Sequence, residues 1–318
     1  MPDLRKNNMP WVQVAMRRRT LDFRPVTPVD IGIIAPYLRY SRSRSCDFTV
    51  GGVFMWVGYF GYEYCICNDT LFIKGLSEDA ERRPAFSLPL GEMPLRQAAS
   101  AIREYCRCEG IEPLFSAIPE ERVDDFRAIG ARAVTELPDW ADYVYNASDL
   151  ATLTGKRYNK KRNHVNRFMS DNPGWSLEDI CEANLPELRA FYAGLDIESA
   201  KADPVMAEFE REQCLDVLGN YRAYGMEGAL LRDGSGQIVA FTAGEIIGDT
   251  LVLHIEKMRH SVAGAGETIN QLFAGRMLER RPELLYINRE DDAGDPGLRY
   301  AKESYHPAFK LRKYNVLL

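Results

Sequence analysis

The sequence predicts an α/β protein of the α+β type, with two tandem units that each hold a mixed, mostly antiparallel sheet flanked by helices. The chain has 318 residues, more than one hydrophobic core usually serves, which favours two domains. Hydrophobic residues make up 46% and charged residues 27% of it, as in ordinary folded proteins. Strand-like and helix-like segments alternate in both halves. We therefore expect a tail at 1–22, a first domain at 23–150 and a second at 151–318.

The second half carries the clearest pattern. Residues 227–258 hold three β-prone runs separated by the turn-forming DGSG and GD, which predicts an antiparallel meander. A helix over ETINQLFAGRMLERR, a strand at ELLYIN, a helix begun by Asp295 and Pro296, and one strand over AFKLRKYNVLL follow. A short strand and two helices precede the meander. This order resembles the acyltransferase fold of the GNAT superfamily, in which the central strands splay apart around a pantetheine-like or aminoacyl chain.

The first half follows a similar plan. Strands at YEYCICNDTLFIKG and PAFSLPLG precede a helix at 94–109, and the strand EPLFSAI, the helix PEERVDDFRAIG and the strand ADYVYN come after it. The two halves share this order without obvious residue identity. We therefore expect two tandem GNAT-like domains, with the active cleft in the second.

The cysteines favour free thiols in a reducing compartment, because their number, seven, is odd and no secretory signal precedes them. Cys106 and Cys108 lie on opposite faces of the predicted helix and cannot chelate one ion. Cys65 and Cys67 share a strand face but have no zinc-like partners. We expect no metal, no transmembrane segment and a cytoplasmic protein that could also be peripheral to the membrane.

A basic stretch, TGKRYNKKRNHVNRF at 154–168, stands out in a chain of net charge −6. On a helical wheel, Lys156, Lys160 and Arg167 form one stripe, while Tyr158 and Val165 share the opposite, packing face. The simple interpretation is a solvated surface. The alternative is a site for a polyanion, such as RNA, a lipid headgroup or coenzyme A, because cations near phosphates release counterions and add affinity.

A second group of polar residues follows the predicted strand ELLYIN, at the end where open sheets usually bind ligands. An acidic loop there could grip an ammonium group, and the next helix could present donors to a developing oxyanion. A helix cap with surface ion pairs is the structural alternative. The candidate substrate-binding residues are Asn288, Glu290, Asp291, Asp292 and Arg299, and the candidate catalytic residues on the helix are Lys302 and Tyr305.

His254 and Glu256 point to one face of their strand. Glu256 is a candidate general base, Tyr305 a candidate proton donor to the leaving group and His254 a candidate substrate ligand. For Glu256 an ion pair is the favoured alternative. Gly264 and Gly266 could form an anion loop, but Val262 stands where acetyl-coenzyme A enzymes of the superfamily have glycine, so the coenzyme A signal is weak.

Two long motifs, at 142–168 and 286–307, with HIEKM between them, resemble the DUF2156 family. That family is similar to the C-terminal domain of phosphatidylglycerol lysyltransferase, a tandem GNAT-fold module. The resemblance implies a transferase that moves an aminoacyl group from charged tRNA to an acceptor such as a lipid headgroup. It also implies that the basic motif could hold tRNA or lipid phosphates. The motif's cations are Lys156, Lys160, Lys161, Arg162 and Arg167.

Our main prediction is therefore an aminoacyl transferase that uses aminoacyl-tRNA, with no certain cofactor. An acyl-coenzyme A N-acetyltransferase acting on a small amine is the first alternative. A module that binds RNA or a phosphate-bearing ligand without catalysis is the second. Retention on a coenzyme A resin would favour the first alternative, and RNA binding without a transfer product would favour the second.

Overall fold

The computed structural model describes residues 21–195 and 204–318, which form a mixed α/β structure of two sheets flanked by helices. This architecture was predicted, whereas the tandem arrangement and its boundary near 150 stay predictions. The predicted tail at 1–22 lies almost wholly outside the described residues. Among the helices described, none has both the length and the apolar content needed to cross a bilayer.

The first sheet has the order β1-β2-β3-β4-β6-β15-β7, with β5 beside β3, and it is antiparallel except where β4 meets β6. The second sheet has the order β14-β8-β13-β12-β11-β10-β9, and its one parallel pair joins β12 to β13. The strands are β1 (Arg24–Pro25), β2 (Glu63–Cys67), β3 (Thr70–Leu76), β4 (Pro84–Phe86), β5 (Leu90–Gly91), β6 (Leu114–Pro119), β7 (Ala133–Glu136), β8 (Asp142–Asn146), β9 (Ser176–Asp179), β10 (Glu227–Arg232), β11 (Ile238–Ile247), β12 (Thr250–Met258), β13 (Tyr286–Asn288), β14 (Phe309–Leu311) and β15 (Lys313–Leu317).

The helices cover the sheets, and α11 packs on α6, α7 and the central strands β10 to β12. Seven of its side chains are buried, which matches the helical spacing of its apolar residues. The helices are α1 (Ile31–Leu38), α2 (Val50–Phe54), α3 (Val57–Phe60), α4 (Leu95–Glu109), α5 (Val123–Ala128), α6 (Ala147–Thr152), α7 (Asn159–Asp171), α8 (Leu185–Ala193), α9 (Pro204–Gly219), α10 (Tyr221–Tyr224), α11 (Ala265–Arg280) and α12 (Pro296–Glu303).

Each half contributes a strand to the other half's sheet. Strand β8, assigned above to the first half, lies in the second sheet between β13 and β14. The last segment, predicted as one strand, is two: β14 pairs with β8, and β15 lies between β6 and β7 of the first sheet. The single-strand prediction was wrong because the chain changes sheet at Arg312. This exchange ties the two sheets together.

Several local predictions are confirmed. The meander at 227–258 is present as β10, β11 and β12, and the helix at 94–109 is α4. The Asp295 side chain accepts a hydrogen bond from the Leu298 amide, so the capping signal at α12 was correct. On α4, Cys106 is buried and Cys108 exposed, and no disulfide joins the cysteines that the structure describes.

Candidate active site

A cleft opens where β12 and β13 part. The two strands pair only from Thr250 to Val252, opposite Tyr286 to Asn288, and a cavity of about 180 Å³ lies beyond. The sequence predicted an active cleft in the second half, and this cavity is also lined by residues of the first half, so the assignment of the cleft to the second half alone stays a prediction. Its polar lining comes from β12, the loop after β13, α12, α9, the segment around residue 47 and the loop after β3. These residues are Asp47, Glu78, Glu210, His254, Glu256, Lys257, Arg289, Glu290, Asp291, Asp292 and Lys302.

The floor of the cleft is an imidazole held between two carboxylates. His254 Nδ1 lies 2.6 Å from Glu290 Oε1, and Nε2 lies 2.9 Å from Glu245 Oε1. Burial alone would lower the pKa of His254, but hydrogen bonds and charges from both carboxylates raise this pKa to about 10. The ring is therefore an imidazolium whose two N–H groups are both engaged. It lines the cleft as predicted, and its contacts fix the position of Glu290.

Glu245 is a member of this group that sequence reasoning missed. Its carboxylate also accepts hydrogen bonds from the amides of Val50 and Gly51 at 3.0 and 2.6 Å. A Cβ at Gly51 would collide with the His254 ring, so only glycine allows this approach. Burial raises the pKa of Glu245, but its donors outweigh burial and leave the pKa below its usual value. The carboxylate thus joins the 46–51 segment to His254 on β12.

Glu290 follows β13 in a left-handed conformation, with φ of 57°. Its amide donates to Asn288 Oδ1 at 2.7 Å, while the Asn288 side chain donates to Arg44 O and to Asp142. Asn288 is fully buried and does not line the cavity. It therefore shapes the loop that presents Glu290, and its predicted contact with substrate stays a prediction.

Glu256 is paired rather than free. Its carboxylate accepts from Arg289 Nε at 2.8 Å and from Asn270 Nδ2 at 2.9 Å. Burial raises its pKa, but the charge and hydrogen bond of Arg289 dominate and leave the pKa below its usual value. A carboxylate of low pKa is a weak proton acceptor. These contacts favour the ion-pair alternative, and the general-base role stays a prediction.

Tyr305 is buried behind the cleft and is not among its lining residues. Its ring lies 4.7 Å from the Arg289 guanidinium and 4.0 Å from Lys161 Nζ, which are cation–π distances. Burial raises the pKa of its hydroxyl well above the usual value. Tyr305 thus connects the cleft to α7, and its proton-donor role stays a prediction.

Asp291 and Lys302 face the cavity side by side. The Lys302 ammonium donates to the Asp291 carbonyl oxygen. Burial lowers the pKa of Lys302, and nearby carboxylates oppose this only in part. Burial raises the pKa of Asp291 to about 7, against the opposing charges of Lys313 and Lys302. Near neutral pH, the Asp291 carboxyl is therefore suited to exchange protons.

Buried Asp292 is braced by the partly exposed Arg299. Asp292 accepts two hydrogen bonds from Arg299, at 2.9 and 2.7 Å, and one from the Tyr143 hydroxyl at 2.5 Å. Arg299 also binds Asp139 at 2.7 Å. These contacts match the structural alternative, a network that anchors α12. Asp292 still touches the cavity, whereas Arg299 does not line it, and their substrate roles stay predictions.

A second buried cluster lies behind Asp291 and was missed by sequence reasoning. Lys313 Nζ is 2.8 Å from both Asp142 and Asp47, and 3.7 Å from Asp291. The Cys46 thiol lies 3.5 Å from the same ammonium, and burial raises its pKa. Cys46, Asp142 and Asp291 could ligate a metal ion, but the ammonium already supplies a positive charge among them. The absence of a metal stays a prediction.

One wall of the cleft is aromatic. Trp56, Phe60, Tyr62 and Trp140 line it, and the Trp56 ring lies 6.4 Å from Phe60. Trp56 and Phe60 sit at the start of α3 and at its end, in the most apolar stretch of the sequence. The Oε2 atom of Glu78 is buried nearby without a hydrogen-bond partner among the described residues. The cavity therefore offers apolar surface opposite its charged residues.

The basic helix is α7 with the turn before it, and its packing matches the helical wheel. Tyr158, Val165 and Phe168 are buried, while Lys156 and Lys160 are exposed and have no ion-pair partner among the described residues. Arg167 is exposed and pairs with Asp171 at 3.3 Å. Lys161 pairs with Glu267, and Arg162 donates to the Gly155 carbonyl and to Leu153. The cationic surface predicted from five residues thus rests on Lys156, Lys160 and Arg167.

The glycines at the start of α11 allow close packing, Gly264 against α7 and Gly266 against β12. Gly264 has φ of 80°, and a Cβ there would collide with the carbonyl oxygen of His164. A Cβ at Gly266 would press on the Met258 side chain. Close approach of the two helices explains why glycine is needed at 264. The predicted phosphate loop at these residues stays a prediction.

Comparisons with solved structures identify relatives over nearly the whole chain. A protein of unknown function from Bacteroides thetaiotaomicron VPI-5482 is 31% identical, with a TM-score of 0.82 over 94% of this chain and 99% of that chain. The C-terminal DUF2156 domain of a protein named as a lysylphosphatidylglycerol synthetase, from Agrobacterium fabrum, is 14% identical and shares the fold, with a TM-score of 0.62 over 92% of both chains.

Sequence comparison gives a partial relative and a family. An uncharacterised protein of Mycoplasmoides gallisepticum is 25% identical over 185 residues, which are 55% of each chain, so the match spans about half of that relative. The family model described as "Phosphatidylglycerol lysyltransferase, C-terminal" matches residues 38–317. That range includes the cleft, α7 and nearly all of both sheets. The chain therefore belongs to the phosphatidylglycerol lysyltransferase C-terminal family, as its motifs predicted.

Proposed function

We propose that this chain transfers an aminoacyl group from aminoacyl-tRNA to an acceptor, with the hydroxyl of a lipid headgroup as the favoured acceptor. Family membership supports aminoacyl transfer to lipid in general. The observation that carries the proposal is the cleft itself. Glu290, Asp291 and Lys302 converge there on one cavity, with apolar surface opposite.

The donor's aminoacyl ester presents an ammonium group and a carbonyl group. Glu290, held by His254, supplies an anion for the ammonium. Lys302 supplies a cation for the oxygen that becomes negative when the ester carbonyl is attacked. Both side chains are positioned before substrate arrives, one by His254 and the other by its hydrogen bond to the 291 carbonyl.

The transfer also moves one proton. The acceptor hydroxyl oxygen bonds to the ester carbon, the bond from that carbon to the ribose oxygen breaks, and the hydroxyl proton passes to the ribose oxygen. Asp291, whose pKa is about 7, is matched to take the proton and return it. Glu256 is a weaker candidate for the general base because Arg289 lowers the pKa of its carboxyl group.

The donor side of the cleft is the side of α7. Lys161 stacks on Tyr305, and Tyr305 stacks on Arg289, which lines the cavity. A tRNA whose backbone lay on Lys156 and Lys160 would thus be separated from the cavity by one layer of side chains. Exposed lysines of this kind bind phosphates in a salt-dependent way.

The proposal is tested by incubating the purified chain with tRNA charged with a labelled amino acid and with phosphatidylglycerol in detergent micelles. We expect label to appear in the extracted lipid. If label were transferred from an acyl-coenzyme A and not from charged tRNA, the donor would be the acyl-coenzyme A. No product from either donor, with tRNA still bound, would contradict catalysis and favour a binding module.

Charge reversal on α7 tests whether this helix binds the donor tRNA. Lys160→Glu with Lys156→Glu should weaken tRNA binding about tenfold or more at moderate salt and lower the salt dependence, because phosphate contacts are lost. The matched control is Arg107→Glu with Arg127→Glu, which reverses two exposed cations on α4 and α5. If both double variants bind tRNA equally, α7 is not the donor surface.

A further inference from the structure

The segment before the 46–51 loop carries an exposed apolar ridge that ends in arginines. Val29 is 87% exposed and Ile33 43% exposed, and Pro36 is also exposed on the same side of α1. Arg39 and Arg42 follow, both exposed. We call these five residues the docking surface.

The charge of this region is positive in an acidic chain. Residues 31–46 contain three arginines and no Asp or Glu. Arg44 is neutralised by Asp249 at 2.6 Å. The Arg42 guanidinium has no partner among the described residues, and Arg39 stacks on Tyr40, 5.6 Å from its ring centre. Two cations therefore remain available beside the apolar ridge.

A groove of about 760 Å³ runs beside the docking surface. Its walls are residues 35–50, including Arg39 and Arg42, and residues 245–249 of the β11–β12 turn. Leu285, 56% exposed, borders the same turn through a hydrogen bond from its amide to the Asp249 carbonyl. The groove is thus lined by Arg39 and Arg42 of the docking surface, and exposed Leu285 lies beside the turn that forms its other wall.

A single residue, Glu245, links the groove to the cleft. Glu245 lines it, and the same carboxylate binds His254, which lines the cleft. A molecule seated between Arg39 and Glu245 would therefore lie one layer of side chains from Glu290. The α7 surface reaches the cleft through Tyr305 and Arg289 instead, so the two basic surfaces approach it by different residues.

We propose that the docking surface rests on the headgroup layer of a bilayer containing anionic lipid, with Val29 and Ile33 inserted and Arg39 and Arg42 on the phosphates. Apolar side chains beside arginines suit this interface because the former enter the acyl boundary and the latter meet phosphate. A nucleic acid would leave Val29 and Ile33 in water. The proposal deepens the proposed function, since it supplies a route for a lipid acceptor.

The test is flotation with vesicles of phosphatidylcholine and phosphatidylglycerol, 3:1, and with phosphatidylcholine alone. We expect the chain to float with the mixed vesicles and about tenfold less with the neutral ones. Val29→Asp with Ile33→Asp should reduce the bound fraction about tenfold or more at every salt concentration. Arg39→Gln with Arg42→Asn should remove the preference for phosphatidylglycerol, and asparagine suits the left-handed backbone at 42.

The matched control is Ile66→Asp, which places an acid at a similarly exposed apolar site on β2, 38% exposed, in a groove formed with α4. It should float like the unmodified chain. Failure of the unmodified chain to float, or equal flotation of all variants, would overturn the proposal. A dimer of the unmodified chain would also overturn the proposal if Val29→Asp with Ile33→Asp dissociated it, because a second copy would then cover the ridge.

Transfer assays keep this proposal separate from the proposed function. Transfer to micellar phosphatidylglycerol that survives in Val29→Asp with Ile33→Asp, while vesicle binding is lost, supports a docking role. Vesicle binding without transfer in any format supports docking and contradicts the proposed reaction. Transfer by the unmodified chain without vesicle binding overturns docking alone.

Discussion

Lys302 and Lys313 both lie close to Asp291, and they show how the surroundings of a lysine ammonium group decide between a structural and a catalytic role. Lys313, 1% exposed, meets Asp142, Asp47 and the Cys46 thiol. Burial alone would lower its pKa, but these neighbours raise it well above the usual value. Lys302 makes one hydrogen bond, to a carbonyl oxygen, and burial lowers its pKa.

The difference lies in how fully each charge is satisfied. Lys313 is on β15 of the first sheet and Asp142 on β8 of the second, so their ion pair joins the two sheets. Among the residues that the structure describes, the Lys302 ammonium hydrogen-bonds only to the Asp291 carbonyl, and it faces the cavity. An enclosed, saturated lysine stabilises the fold, whereas an unsaturated one beside a cavity is available to a substrate.

The largest expected effect is on stability. Lys313→Met should lower the free energy of unfolding by about 3–5 kcal/mol, because Asp142 would be left buried without its counter-charge. Urea denaturation measures this loss. Lys310→Met is the control, since Lys310 is partly exposed and pairs with Glu303 at 3.2 Å, and should cost less than about 1 kcal/mol. Equal losses would abolish the distinction between the enclosed and the surface lysine.

Lys302→Met should have the opposite profile. We expect aminoacyl transfer to fall about a hundredfold or more, because one preorganised donor to the developing oxyanion is removed. The melting temperature should stay unchanged or rise, since burial of this charge is unfavourable. Transfer rates and thermal denaturation curves of the same preparations measure the two effects. A variant that loses stability but keeps its activity when folded would make Lys302 a structural residue like Lys313.

The sequence allowed the open cluster to be predicted but not the enclosed one. Glu290, Asp291 and Lys302 lie in a dense polar run after a strand, a recognisable pattern at the ligand-binding edge of a sheet. Lys313 and Glu245 are single charges in apolar strands, where a period of two suggests a solvent-facing side chain. Their burial depends on partners about 170 and 9 residues away along the chain, as with Lys313 and Asp142 or Glu245 and His254.

The same limit applies to the fold. The meander and the helices α4 and α11 have strong periodicity and short connections, so their prediction needed only local sequence. The exchange of β8 and β15 between sheets could not be predicted, because an alternating pattern shows that a strand has two faces but not which sheet receives it. The prediction of two tandem domains placed residues 142–146 in the first half and 313–317 in the second, whereas each of these strands lies in the sheet of the other half.

Asp291 is close to both lysines, and the effect of its substitution on stability should appear as a change with pH. Its pKa is about 7 in the folded chain and about 3.8 in a free carboxyl, so the folded state holds more protons than the unfolded state between these values. Its contribution to stability is therefore complete below about pH 4 and is lost as the pH rises through 7. Asp291→Asn cannot titrate, so its stability relative to the unmodified chain should rise between pH 4 and 8, by up to about 4 kcal/mol, because each unit of difference between the two pKa values corresponds to about 1.4 kcal/mol. Urea denaturation at both pH values measures this change, and the difference between the two proteins cancels the titration of the other groups. A relative stability that falls with pH would mean that the lysines hold Asp291 ionised, and a second anion for the substrate ammonium would then be the better role for it than proton transfer.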